Sequence, residues 1–125
     1  MKIERDSITD PVIILRITQL WEPGITHLRL YEATRGVWRT GVRRMKARYA
    51  LSVADGRVRE VYSIRHWYPG GTLKYKTRPL VDVNRTDRWE FSGEIAPDDI
   101  RNKYLGKILT FPLGSANPVS YAGGI

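Results

Sequence analysis

Apolar and polar positions alternate most clearly between residues 47 and 67. Ala47, Tyr49, Leu51 and Val53 fall on one side and Arg48, Ala50 and Ser52 on the other, the period of two that a half-buried strand requires. Ala54-Asp55-Gly56-Arg57 follows, and Asp-Gly supplies the two positive-φ residues of a tight turn whose twist matches its flanking strands. Val58 to Trp67 then returns with β-branched and aromatic residues. Its alternation fails at Arg59-Glu60, which predicts a bulge there.

The same reading extends along the chain. Pro11 opens a first strand, and Val12 to Ile17 form a short apolar run ending near Arg16. Thr26 is placed to cap a helix over residues 27–35, with Leu28, Tyr31 and Arg35 three to four apart and Gly36 as its stop. Val37 to Lys46 alternates weakly between apolar and basic residues and is compatible with a strand edge, a loop or a second helix entering the hairpin. Tyr68-Pro69-Gly70-Gly71-Thr72 is loop chemistry, and residues up to Arg88 read as a long exposed excursion. Trp89 to Ile95 sets Trp89, Phe91 and Ile95 against Glu90, Ser92 and Glu94, a further strand with Gly93 at a bend or close backbone approach. Pro97-Asp98-Asp99 starts a second helix with Ile100 and Tyr104 inward and Gly106 as its stop. Lys107 to Phe111 is a short strand stopped by Pro112. A Gly/Ser/Asn/Pro-containing tail follows from Gly114, with Val119 and Tyr121 as candidates to dock on the body. The expected architecture is one domain over residues 1–125, of class α+β: a mixed, mostly antiparallel β-barrel with about two short helices.

Charge changes this picture. The 125 residues carry 21 Lys and Arg against 13 Asp and Glu, and the resulting +8 directs attention to a polyanionic partner. The charge is local, because Arg29, Arg35, Arg39, Arg43, Arg44, Lys46 and Arg48 are opposed within their segment only by Glu32. Lys and Arg contacts to phosphates release counterions and give sequence-independent affinity, while aromatic faces stack bases. Trp38 lies inside the segment and is the favoured stacking residue. Trp67 and Tyr68 end the returning strand, near Lys74, Lys76 and Arg78. The competing reading is that the arginines solvate one face and the tryptophans belong to the core, since runs of charge are usually solvated. Trp89, alternating with Phe91 and Ile95, is assigned to the core.

Cysteine is absent, which excludes disulfides, thiolate nucleophiles and Cys-type zinc sites. Met1 to Asp6 is charged, Arg16 breaks the first apolar run, and no stretch approaches the ~20 apolar residues that span a bilayer, so a soluble, cytoplasmic protein is expected. His27 and His66 have no carboxylate spacing of a metal or triad site, Asp98-Asp99 fit the helix start, and neither a P-loop nor Gly-x-Ser-x-Gly occurs. No metal or cofactor is signalled. An enzymatic alternative, a small hydrolase or nuclease acting on nucleic acid, would draw on Glu60, Glu90 or His66 as acid or base. A third alternative is a protein-interaction or inhibitor module, which a large exposed apolar patch would mark.

The element order, together with Tyr31-Glu32-Ala33-Thr34-Arg35-Gly36-Val37-Trp38-Arg39, the run from Tyr49 to Trp67, and Arg88-Trp89-Glu90-Phe91-Ser92-Gly93 followed by Ala96-Pro97-Asp98-Asp99-Ile100, resembles the PUA-like superfamily of small β-barrels, especially its ASCH and EVE-type members. The resemblance implies a pseudobarrel whose cleft accepts RNA, a modified or flipped base, or a nucleotide-like ligand. Trp38, Trp67 or Tyr68 would then stack the base, and Arg35 or Arg39 would meet its edge. The chain lacks a counterpart of the EVE opening motif and an alignable Gly-x-Lys-x-x-Glu signature of ASCH domains. The function expected is non-catalytic binding of nucleic acid or a nucleotide-like ligand through a basic face and an aromatic-lined cleft. Its candidate residues are Arg35, Trp38, Arg39, Arg43, Arg44, Lys46, Arg48, Trp67, Tyr68 and Lys74.

Overall fold

The computed structural model describes residues 1–111 and 116–125. Its elements run β1 (Lys2–Ile3), β2 (Val12–Arg16), α1 (His27–Arg35), β3 (Tyr49–Ala54), β4 (Arg57–Pro69), α2 (Leu80–Val83), β5 (Trp89–Ile95), α3 (Asp98–Tyr104), β6 (Ile108–Leu109) and β7 (Val119–Ala122). Short 3₁₀ turns occupy Arg5–Ser7 and Val42–Lys46. The latter is the form taken by the basic stretch that the alternation pattern left open. Pro112 and Gly114, which the sequence marks as a stop and the start of the tail, lie outside the described residues. Val119 and Tyr121 do dock, as part of β7.

The hairpin forms where its turn chemistry places it. Asp55 and Gly56 adopt φ of 51° and 73°, and β3 and β4 pair antiparallel across them. Ser52 faces Glu60 while Val53 faces Val58, so Arg59 is the extra residue of the anticipated bulge. A second register shift, between Ile64 and His66, makes Arg65 an extra residue where β4 pairs with β5. In α1 the Thr26 hydroxyl accepts the Arg29 N–H at 3.2 Å, the expected cap. Ile100 and Tyr104 of α3 are buried, as their spacing requires.

The strands form one mixed sheet in the order β1-β6-β4-β3-β2-β7, with β5 also on β4. The pairs β1–β6 and β2–β3 are parallel and the other four antiparallel, in keeping with a mostly antiparallel sheet. Among the described residues no ladder joins β1 to β7. The hydrogen-bonded sheet is therefore open among the described residues and does not by itself close the expected barrel. β2 is buried on both faces: Val12 and Ile14 pack with Ile100 and Tyr104 of α3, and Ile13 and Leu15 pack in the cluster that Tyr31 of α1 joins. A continuous apolar run such as Val12–Leu15 is what a strand covered on both faces needs. The end strands β1 and β7 are short, which limits the exposed sheet edge.

β5 departs from its expected faces. Phe91 is buried as anticipated, but Glu90 is fully buried too, and Ile95 is 44% exposed. The end of α1 lies over Glu90 so closely that a Cβ on Gly36 would collide with the Cβ of Glu90 and the hydroxyl of Tyr75. The strand is thereby covered on both sides along its first half, and periodicity stops reporting exposure. The chain leaves α1 through a cis peptide between Gly36 and Val37. Trp38 and Trp89 then exchange backbone hydrogen bonds of 2.8 and 2.9 Å, joining the segment after α1 to the start of β5.

Candidate functional site

The basic segment does not present its cations as one face. Arg35, expected at the ligand, is 7% exposed: its guanidinium donates to the Lys74 carbonyl at 2.5 Å, lies 4.3 Å from the Tyr75 ring centroid and is 3.7 Å from Glu32. Arg44 is equally buried, donating to the Gly41 carbonyl at 2.9 Å with its guanidinium 3.5 Å from the Trp89 centroid. Burial holds the Arg44 guanidinium below the ordinary arginine value, against an opposing effect of Tyr121. Planar, weakly hydrated guanidinium stacks on aromatic faces well enough to enter a core. That property removes Arg35 and Arg44 from the expected contact surface.

The other candidates separate. Arg39, Arg43, Lys46, Arg48 and Lys74 are exposed. Arg39 pairs loosely with Asp87 at 3.7 Å, and Arg43 donates to the Ile125 carbonyl at 2.6 Å beside Tyr121. Trp67 is 8% exposed and edge-on to Phe91, so it is core with only an edge at the surface, and Tyr68 rests half-buried against His66.

Three carboxylates sit inside the fold. Glu32 accepts the Thr77 hydroxyl at 2.6 Å and the backbone N–H groups of Lys76 and Thr77. Burial alone would raise its pKa, but those donors, with the charge of Arg35, outweigh it and hold Glu32 below the usual carboxylate range. Glu90 accepts the Tyr75 hydroxyl at 2.9 Å and the Leu73 N–H. Glu32 and Glu90 thus clasp residues 73–77, so this part of the expected exposed excursion is fixed to the body. Glu60 binds Arg101 in a two-pronged pair at 2.7 and 3.1 Å, which fastens α3 to β4. Glu60 and Glu90, the acid/base candidates, therefore stand in two separate structural networks. His66 is exposed beside Tyr68.

What the structure does assemble is a cleft of about 530 Å³ between the end of α1, the segment after β2 and the residues before β7. Trp38 forms part of its wall, with Arg16, Arg78 and Arg88, and among the described residues no carboxylate lines it. The Trp38 indole N–H donates to the Thr34 carbonyl at 2.7 Å, fixing the ring, and the Trp38–Trp89 bridge brings Arg88 alongside. Arg16 donates to the Asn117 carbonyl at 2.8 Å and lies over Phe111. Arg78 donates to the Gly36 carbonyl, and its burial keeps its guanidinium below the ordinary arginine value. Arg88 differs from both: its buried Nε has no hydrogen-bond partner, and its side chain makes no ion pair among the described residues.

Trp38 is the one sequence-read candidate in the wall of this cleft, and Arg16, Arg78 and Arg88, none of them a candidate, come from the end of β2, the clasped excursion and the residue before β5. Their only local signal is Arg88 directly before Trp89. Among the described residues there is no cluster of three or more metal-ligating side chains, and no helix is long and apolar enough to cross a membrane. Comparison of the chain with family models, curated proteins and solved structures gives no match to any of them.

Proposed function

We propose that this domain binds nucleic acid or a nucleotide-like ligand, non-catalytically, in the cleft walled by Trp38, Arg16, Arg78 and Arg88. The observation that carries the reading is the Arg88 guanidinium, half-buried without a counter-charge in a cleft that holds three arginines and no carboxylate. Concentrated positive charge in a partly desolvated concavity attracts an anion, and guanidinium matches phosphate geometrically. The rigidly held Trp38 ring offers a face for a base. The resemblance to PUA-like domains, whose barrel would be a more closed version of this sheet, points toward the same ligand class. Engagement of Glu60 by Arg101 and of Glu90 by Tyr75 and Leu73 favours binding over acid/base chemistry.

Fluorescence anisotropy with labelled single- and double-stranded RNA and DNA, titrated over salt with tryptophan emission in parallel, tests this. Salt-dependent binding with tryptophan quenching is expected. Arg88→Ala should weaken binding several-fold and reduce the salt slope by about 0.7 for a single strand. Absence of binding at low salt, or binding indifferent to Arg88 and Trp38, overturns the reading.

A further inference from the structure

We infer that the ligand of the Trp38 cleft is a single-stranded polymer whose adjoining residues occupy a second cleft beside Trp67 and Arg48. This rests on the reading of the Trp38 cleft. The second cleft holds about 430 Å³ and is walled in part by Tyr49, Arg48, Arg65, His66, Trp67 and Met45, again with no carboxylate in its lining. The Arg48 guanidinium is exposed, 5.8 Å from the Tyr49 ring centroid, and its charge acts on Asp10 without a close ion pair among the described residues.

The two clefts are joined by one stretch of chain. It starts at Trp38 in the wall of the first and reaches Met45 and Arg48 in the wall of the second. Between them Arg39, Arg43 and Lys46 are exposed, so cationic side chains line the route. Val42 and Met45 are 82% and 64% exposed on the same stretch, apolar tips available to unstacked bases. Arg44 turns the opposite way, its guanidinium 3.5 Å from the Trp89 centroid and 6.0 Å from that of Trp67, and so pins the turn to the body. A pinned route loses little conformational freedom when a ligand is laid along it.

The spacing sets the two ends about two nucleotide residues apart. Trp38 is bridged to Trp89, and Trp89 lies diagonally across the β4–β5 ladder from Trp67, which itself faces Phe91. Ladder geometry puts the backbones of Trp38 and Trp67 about 12 Å apart. One phosphate meets one end, whereas a chain with a phosphate at every residue meets both. Once its first residue is held, the next ones meet the second cleft at high effective concentration.

The test compares nucleoside monophosphates of all four bases with labelled random-sequence RNA and DNA oligonucleotides of two, four and eight residues, by anisotropy and tryptophan quenching at fixed low salt. Affinity should rise at least tenfold between monophosphate and tetranucleotide. Arg48→Ala should remove most of that gain and leave the monophosphate Kd unchanged, Arg48→Lys should restore part of it, and Arg88→Ala should weaken every ligand. Arg48 is exposed, so its loss leaves the fold intact. Affinity independent of length, or a length gain untouched by Arg48→Ala, overturns the second cleft. In that case monophosphate binding that depends on Arg88 still upholds the first. Failure of every probe to bind overturns both.

Discussion

Two regions of this domain place arginine beside aromatic rings, and they do opposite things. In the clasp around residues 73–77, Arg35 lies over Tyr75 with Glu32 at 3.7 Å and the Lys74 carbonyl at 2.5 Å. In the cleft, Arg88 stands near Trp38 with no carboxylate among the described lining residues and no ion pair, while the buried Nε is unpaired in both arginines. Residue types do not distinguish the two settings. A counter-charge does: Glu32 stands beside Arg35, whereas Arg88 makes no ion pair among the described residues.

The comparison breaks most severely if the clasp is not structural. Glu32→Ala deletes the acceptor of two backbone N–H groups and the Thr77 hydroxyl and leaves Arg35 buried without its carboxylate. Such losses cost about 3–5 kcal/mol, so the denaturant midpoint should fall sharply. A midpoint near that of the parent protein would mean the clasp is ornamental. Gly36→Ala attacks the same region by volume. A Cβ there meets Tyr75 and Glu90, and about 1–3 kcal/mol of destabilisation is expected by chemical denaturation.

Acid sharpens the contrast. The folded-state pKa of Glu32 lies below its unfolded value, so its stabilisation is complete above the unfolded value of about 4.3 and is lost as pH falls through that and then through the folded value. Asp10 acts the same way: burial would raise it, but the Tyr104 hydroxyl and Lys103 outweigh burial. Stability measured by urea titration should decline below about pH 4, and Glu32→Gln should flatten the decline. An unchanged slope would remove Glu32 as its source.

The smallest effects on stability belong to the cleft and its rim. Arg88→Ala should shift stability by no more than about 0.5 kcal/mol while weakening oligonucleotide binding several-fold, the reverse of Glu32→Ala. A large loss of stability would place Arg88 in the same class as Arg35. Arg39→Ala, which removes an exposed and loose pair with Asp87, should leave the thermal midpoint unchanged within error.

Local rules made the elements readable. Asp55-Gly56 dictates its turn because few residues tolerate positive φ, Thr26 dictates a helix start because its hydroxyl reaches Arg29, and Pro97 with two aspartates opens α3. The bulge at Arg59 showed as a break in a period of two. Where both faces of a strand are covered the same rule fails, which is why Glu90 was placed with the solvent-facing residues and is in fact fully buried. Of the proposed cleft, Trp38 is the member that the sequence reading singled out.

Everything that depends on neighbours along the chain, namely strands, turns, helix caps and the excess of positive charge, is therefore written in the residues themselves. Which of those charges are available was decided by packing. Arg35 and Arg44 disappeared into the core because carbonyls and aromatic rings from distant segments met them there. Arg16, Arg78 and Arg88, far apart in the chain, came to share one wall. Periodicity reports on contacts a few residues away, whereas the burial of a charge is a long-range property that exists only once the sheet and α1 have come together.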